Sequence, residues 1–386
     1  MAGFTSLDDF ITETTQNGKF YRSDWNKNFN PTTAAVVGEW HSLFRGGGNP
    51  AADAILNTGT ALAFQQLKDT TANATGILHG GNVSPDYKSL VNASAFSAAA
   101  TTMPAVAMLV DLIGFYRVTA VTTTTAQTTT NPLIALTTFT ADASTDIITV
   151  PTTNNNLLPY TTVQVSTTTT LPAGLAAATN YFVIKLTDST FKLATSYANA
   201  VAGTAIDITS AGTGTHTINT LLPRYTDGSG VQAMFLNSNA TPLGAATPNL
   251  SITYTNSGAT AGRATPTVLP IGKTAASNSL ILYSGTGAGK YGPAVPLQGG
   301  DGGIRLIESI TNSTSYVSGE YSVVLYKIIA TLPMTTIGVA SERDFMNQIP
   351  SLPRIYDGAC LTWLLYSGAT TPTNSSFYGH LDFAYG

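Results

Sequence analysis

Leu222-Pro223-Arg224-Tyr225-Thr226-Asp227-Gly228 returns 130 residues later as Leu352-Pro353-Arg354-Ile355-Tyr356-Asp357-Gly358, differing at two positions. Proline restricts φ and Asp-Gly favours a tight turn, so each copy reads as a corner where the chain enters a sheet. An apolar run follows each corner, at 231–236 and 360–366. A Ser/Ala/Thr-rich loop then leads to a second alternating segment, at 250–255 and 380–385. The chain thus uses one strand, loop, strand unit twice, which predicts a β scaffold. The competing explanation is chance similarity between two turn-rich corners.

Outward from these corners, β signals dominate. Residues 105–109, 182–186, 249–255, 279–283 and 321–329 are rich in β-branched or aromatic residues, alternate in part, and are bounded by Gly, Pro, Asn or Ser. Helix signals are few. Ser6 with Asp9 three residues on predicts a capped helix that Gly18 ends, 60–68 predicts another, and Ser341 with Asp344 predicts a third over 341–348. The fold class expected is mainly β, a sandwich or jelly-roll-like body with few short helices.

Residues 132–220 differ in texture from their flanks. Thr runs at 122–125 and 128–130 precede them, and short strands are predicted at 147–150, 162–165, 181–185, 190–193, 205–208 and 215–218. This predicts a small Ig-like β-sandwich module inserted into a discontinuous body of 1–131 and 221–386. A length of 386 residues agrees with two domains.

Composition narrows the function. Only 10% of residues are charged and 43% are hydrophobic, so the surface relies on hydroxyl and amide groups and suits contact with neighbouring subunits. The formal net charge of −4, with 17 scattered Lys and Arg, argues against nucleic-acid binding. Cys360 is the only cysteine, in an apolar run where an inert buried thiol is expected. The start of the chain has no signal-peptide pattern. The longest apolar stretch, 104–116, is interrupted by Asp111 and is too short to span a bilayer, so no membrane partner is expected.

Searches for chemistry give little. The histidines at 41, 79, 216 and 380 have no second His or Cys at ligand spacing, and no metal or cofactor is expected. Ser284-Gly285-Thr286-Gly287-Ala288-Gly289-Lys290-Tyr291 departs from a phosphate loop at both ends and reads as a flexible turn. Asp227, Asp301, Asp357 and Glu320 are the candidate carboxylates for glycan cleavage, but each Asp sits beside Gly in a turn that uses Asp for backbone bonding. Asp301 and Asp142 are candidates for calcium at loop crossings, without EF-hand spacing. No catalytic residue is assigned. Arg224, Asp227, Arg354 and Asp357 are the candidate turn or interface residues. Each Arg either reaches a neighbouring subunit's carboxylate or staples its own turn through the Asp three residues on, and the internal staple is the preferred reading.

Within the insertion, Leu171-Pro172-Ala173-Gly174-Leu175, Asn180-Tyr181-Phe182-Val183-Ile184, Thr190-Phe191-Lys192-Leu193-Ala194 and Ile208-Thr209-Ser210-Ala211-Gly212-Thr213-Gly214-Thr215-His216 resemble a β-sandwich module recurrent in virion proteins of tailed bacteriophages. In the body, Met1-Ala2-Gly3-Phe4-Thr5-Ser6-Leu7-Asp8-Asp9, Leu78-His79-Gly80-Gly81-Asn82-Val83-Ser84-Pro85 and the segment from Glu342 to Arg354 resemble structural proteins encoded among phage head genes. The resemblance implies a particle component, with a capsid decoration or cement protein as the leading expectation. Its partners would be the major capsid protein and sister copies, as a trimer at three-fold junctions, and it would reside on the capsid surface after assembly in the host cytoplasm. A tail or head fibre component, with the inserted module touching host glycans, is the alternative.

Overall fold

The computed structural model describes residues 4–29, 34–35, 37–56, 58–69, 76–83, 86–98, 104–151, 157–238, 243–244, 248–265, 281, 292–347, 352–372 and 375–386. The apolar stretch around Asp111 forms the central strand, Val106–Val118. Leu109, Val110, Leu112 and Ile113 are all fully buried, so both faces of this strand are covered, as its lack of alternation implies. Its sheet runs in the order Val231–Asn237, Tyr321–Pro333, Val106–Val118, Leu361–Tyr366, Trp40–Ser42, with Phe64–Gln66 also on the central strand.

Two further sheets make sandwiches with this one. The first runs Ser341–Asp344, Lys88–Ser97, Ser375–Tyr385, Phe20–Phe29, Gly48–Asn49. It shares a core of Leu109, Trp363 and Leu365 with Trp25, Leu90, Phe377 and Phe383. The second runs Arg263–Ala264, Leu250–Asn256, Ile304–Asn312, Gln127–Thr128, and shares a core of Val110, Leu112 and Phe235 with Ile252, Tyr254, Ile307 and Ile310. The body is thus mainly β and sandwich-like.

The two Leu-Pro-Arg corners occupy equivalent places in this body. Lys88–Ser97 and Val106–Val118 precede the first corner; Val231–Asn237 and Leu250–Asn256 follow it. Ile304–Asn312 and Tyr321–Pro333 precede the second; Leu361–Tyr366 and Ser375–Tyr385 follow it. Pairing then crosses between the copies. The strands after the first corner pair with those before the second, 231–237 with 321–333 and 250–256 with 304–312. The strands after the second pair with those before the first, 361–366 with 106–118 and 375–385 with 88–97. The halves meet where 106–118 pairs with 321–333, in a register running from Val106↔Pro333 to Val118↔Tyr321. Equal ends facing opposite ends is the signature of an approximate two-fold. Neither half closes its sandwich without strands from the other.

The inserted segment is a compact unit with its own core of Phe139, Ile148, Val163, Val165, Val183, Phe191, Leu193 and Ile218. Strands Ile134–Asp142, Ile147–Thr149, Thr162–Thr167, Tyr181–Lys185, Thr190–Ala194 and His216–Thr220 pair all the way round. The two layers expected of a sandwich are therefore continuous at both edges, giving a small closed barrel without free strand edges. The Ser-Ala-Gly-Thr-Gly-Thr motif has a steric reason. Gly212 has φ +71° and a Cβ there would lie 2.5 Å from the Thr170 carbonyl, while bridges Thr170↔Thr213 and Ala173↔Ser210 hold the two segments together.

Local readings meet the structure unevenly. Ser6 caps the helix Leu7–Ile11 by accepting the Asp9 N–H at 3.1 Å. The helix expected at 60–68 is instead the strand Phe64–Gln66, held against Tyr116, Phe115 and Gly114. The helix expected at 341–348 is the strand Ser341–Asp344, paired with Lys88–Ser97, and Asp344 caps the following turn by accepting the Met346 N–H. In both places strand pairing overrides local propensity. Residues 205–208 carry no strand. Of 279–283 only Ile281 lies among the described residues, and 284–291 lies outside them.

Candidate functional site at the meeting of the two corners

The first corner places Arg224 in the interior. Its Nε donates to Asp111 Oδ2 at 2.7 Å, its Nη2 to Asp111 Oδ1 and to the Leu112 carbonyl, and its Nη1 to the Leu67 carbonyl at 2.9 Å. Both side chains are buried. The internal staple expected between Arg224 and Asp227 is not made; Asp227 instead accepts the Ser229 N–H at 3.1 Å. The reason is desolvation. A carboxylate in the middle of a buried strand requires a cation and further donors, whereas the turn Asp is satisfied by its own backbone.

The second corner uses its arginine differently. The Arg354 guanidinium lies 4.1 Å from the Tyr87 ring centroid and 4.2 Å from that of Tyr356, between two aromatic faces. Asp357 accepts the Val83 N–H at 3.1 Å and faces Lys88 Nζ at 3.4 Å, so here too the expected staple is replaced. The two corners touch through Tyr225 and Tyr356, whose rings meet edge to face at 4.7 Å.

Beside the second corner, the Leu78-His79-Gly80-Gly81 loop adds a buried polar cluster. Lys88 Nζ donates to His79 Nδ1 at 2.9 Å and to the Gly81 carbonyl, and His79 Nε2 donates to the Ala359 carbonyl at 3.1 Å with Asp69 at 3.6 Å. Burial, then the Lys88 charge, push the His79 imidazole down to about 4, so it stays neutral. Burial also lowers the Lys88 ammonium and raises the Cys360 thiol.

The barrel is seated at the same junction. Burial, and then Asp188 of the barrel, push the Tyr87 hydroxyl of the body up to about 12. Arg305 of the body is buried and donates to Thr162 Oγ1, to the Tyr160 carbonyl at 2.8 Å and to the Ser257 carbonyl at 2.7 Å, with its guanidinium 5.8 Å from the Tyr197 ring centroid. Thr226 of the first corner shares a hydroxyl contact of 2.8 Å with Thr161. The arrangement fixes the angle between barrel and body and joins segments far apart in sequence.

The other candidate residues lie apart from this junction. Asp301 accepts from Tyr254 Oη at 2.6 Å, Asn256 Nδ2 at 2.7 Å and Arg263 Nε at 2.9 Å, and the Arg263 bond first, with Tyr254 and Asn256, holds its carboxyl at about 2. Asp142 accepts the Ser144 N–H and hydroxyl. Glu320 pairs with Arg117 at 2.8 Å. His41 contacts Glu39, His216 contacts Thr167 and the Ala211 carbonyl, and His380 lies 3.8 Å from Asp382. No group of three or more His, Cys, Asp or Glu fit to hold a metal occurs among the described residues. Among them, too, no helix is long and apolar enough to cross a membrane.

Sequence reasoning missed the buried cations. Lys27 donates to the carbonyls of Gly46, Pro50 and Ala51 and is lowered to about 8 by burial. A usable signal existed there: Ser23, Trp25, Lys27 and Phe29 alternate on the inward face of one strand. For Arg305 no local signal marks the long-range partners. The chain matches no family model, no curated protein and no solved structure.

Proposed function

We propose that this chain is a structural component of a tailed-bacteriophage particle, a decoration or cement protein that binds the major capsid shell and resides on the capsid surface. The observation that carries this reading is the fixed seating of the barrel on the crossed body: Arg305, Tyr87 and Thr226 tie an independent core to a scaffold whose buried charges serve internal linkage. Such a chain works by presenting shaped, charge-poor surfaces rather than by transforming a substrate. The resemblance of the insertion and of the His-Gly-Gly loop to virion proteins supports the same reading. Purified chain mixed with shells that lack it tests the proposal. Saturable co-sedimentation with the shells is expected, and absence of binding at micromolar concentration overturns it.

A fibre component is the second reading, favoured by one observation. The barrel end opposite Arg305, reached where Thr162–Thr167 finishes, carries the exposed residues Thr168, Thr169, Ser210, Thr213 and Thr215. Such a tip suits hydrogen bonding to a host glycan. Binding of the chain to host cells or their glycans, without binding to shells, selects this reading.

A further inference from the structure

Among the described residues, Lys88 is the one buried lysine paired with a carboxylate. Its Nζ donates to His79 Nδ1 at 2.9 Å and to the Gly81 carbonyl, and lies 3.4 Å from Asp357 Oδ1. The Lys88 side chain is 1% exposed. The other lysine pairs, Lys19 with Glu13 and Asp86, Lys185 with Asp188 and Lys192 with Asp146, leave 30%, 18% and 29% of the lysine side chain in solvent. Lys27 is buried too, but it donates to backbone carbonyls. Burial favours the uncharged form of the Lys88 amine, and an uncharged amine is a nucleophile.

The groups around this amine are those that amide formation requires. His79 commits its Nε2–H to the Ala359 carbonyl at 3.1 Å, with Asp69 at 3.6 Å on the same side of the ring. That bond fixes the tautomer and leaves the Nδ1 lone pair facing Lys88, the place of a general base. Asp357 supplies the carboxyl carbon. The Val83 N–H already bonds its Oδ1 at 3.1 Å, a donor in place for charge that gathers on that oxygen. The Asp357 side chain is 29% exposed, so solvent protons reach it and a released water can leave.

We propose that Lys88 and Asp357 join after folding through an amide bond between Nζ and Cγ, with His79 as the catalytic base. The ammonium gives up one proton, which solvent carries to Oδ2 of the carboxylate, and the freed lone pair attacks Cγ. His79 Nδ1 then removes a second proton from the nitrogen and returns it to Oδ2. The Cγ–Oδ2 bond breaks, Oδ2 leaves as water with both protons, and the step consumes no other reactant. The bond ties the first residue of Lys88–Ser97 to the turn of the second corner. The covalent loop it closes contains the central strand and the barrel, which restricts the unfolded chain. The proposal does not rest on the particle reading.

The test is the intact mass of the full chain, purified folded and then denatured. It should weigh one water less than its 40.1 kDa sequence. Trypsin should fail to cut after Lys88 and should release a branched peptide in which residues 69–117 are joined to 355–386. Lys88→Arg keeps a cation beside Asp357, should leave circular dichroism unchanged, and should restore the full mass. If that change disturbs the fold, Asp357→Ala, in a partly exposed turn, gives the same readout. His79→Gln should fold and join at least about ten-fold more slowly after synthesis. A folded unsubstituted chain at full mass, cut after Lys88, overturns the proposal. So does a one-water deficit that maps to a succinimide at an Asp-Gly turn. Joining of His79→Gln at the unsubstituted rate overturns the part given to His79.

Discussion

Arg224 and Asp111 form a buried two-pronged ion pair that joins the first corner to the central strand, and the Cys360 N–H, just past the second corner, donates to the same carboxylate at 2.8 Å. One side chain thus anchors both copies of the repeated unit. The crossed strand pairing around it makes each half depend on the other. Unfolding is expected to be cooperative across the body.

Removing one partner from the buried pair should be costly. Asp111→Ala leaves Arg224 charged and unpaired, and about 3–5 kcal/mol of stability should be lost. Arg354→Ala removes a half-buried stacking contact and should cost about 1 kcal/mol. Urea unfolding of the two variants checks the contrast. Equal losses would mean that the two corners carry the same load.

The barrel's orientation should depend on Arg305. Arg305→Met removes its bonds to Tyr160, Thr162 and Ser257. Exchange of backbone amides should then rise at 158–162 and 255–259 while the barrel core stays protected. Replacing 132–220 by a short Gly/Ser linker should leave the body folded, because both halves close their sandwiches without the barrel. Loss of all cooperative unfolding in that deletion would contradict the domain assignment.

Much of the fold was legible because its signals are local. Pro-Arg corners, the Ser6 cap, and the β-rich segments 105–109 and 321–329 each report a short-range constraint. The crossed pairing was not legible, since no local pattern says that 231–237 belongs with 321–333 rather than with 106–118. The two false helices at 60–68 and 341–348 failed for the same reason: distant strands recruited them. Arg224 illustrates the limit at the site. The sequence offers Asp227 three residues away, and the fold supplies Asp111 from 113 residues away.

Glycine positions in the barrel should separate by packing. Gly203 ends the helix Tyr197–Ala202 at φ +75° with open space around it, so Gly203→Ala should cost about 1–2 kcal/mol. Gly212→Ala adds a backbone collision with Thr170 and should cost at least about 1 kcal/mol more. Thermal unfolding of the two variants, compared at one pH, gives the order.

Acid should weaken the chain through His79. Its pKa falls from an ordinary 6.5 to about 4 on folding, so the unfolded chain binds the proton more tightly. The stability gained by keeping it neutral is complete above about pH 6.5, is lost as pH falls from there through about 4, and amounts to about 3 kcal/mol. Denaturant titrations between pH 7 and pH 4 should show a shallower fall for His79→Gln than for the unsubstituted chain. Parallel curves would assign the acid sensitivity to other groups.

Copy number in purified particles tests the central claim most directly. Quantitative mass spectrometry against the major capsid protein should find this chain stoichiometric with the shell subunits, or present once per three-fold contact. A handful of copies per particle would contradict a shell-coating role and assign the chain to a tail or fibre.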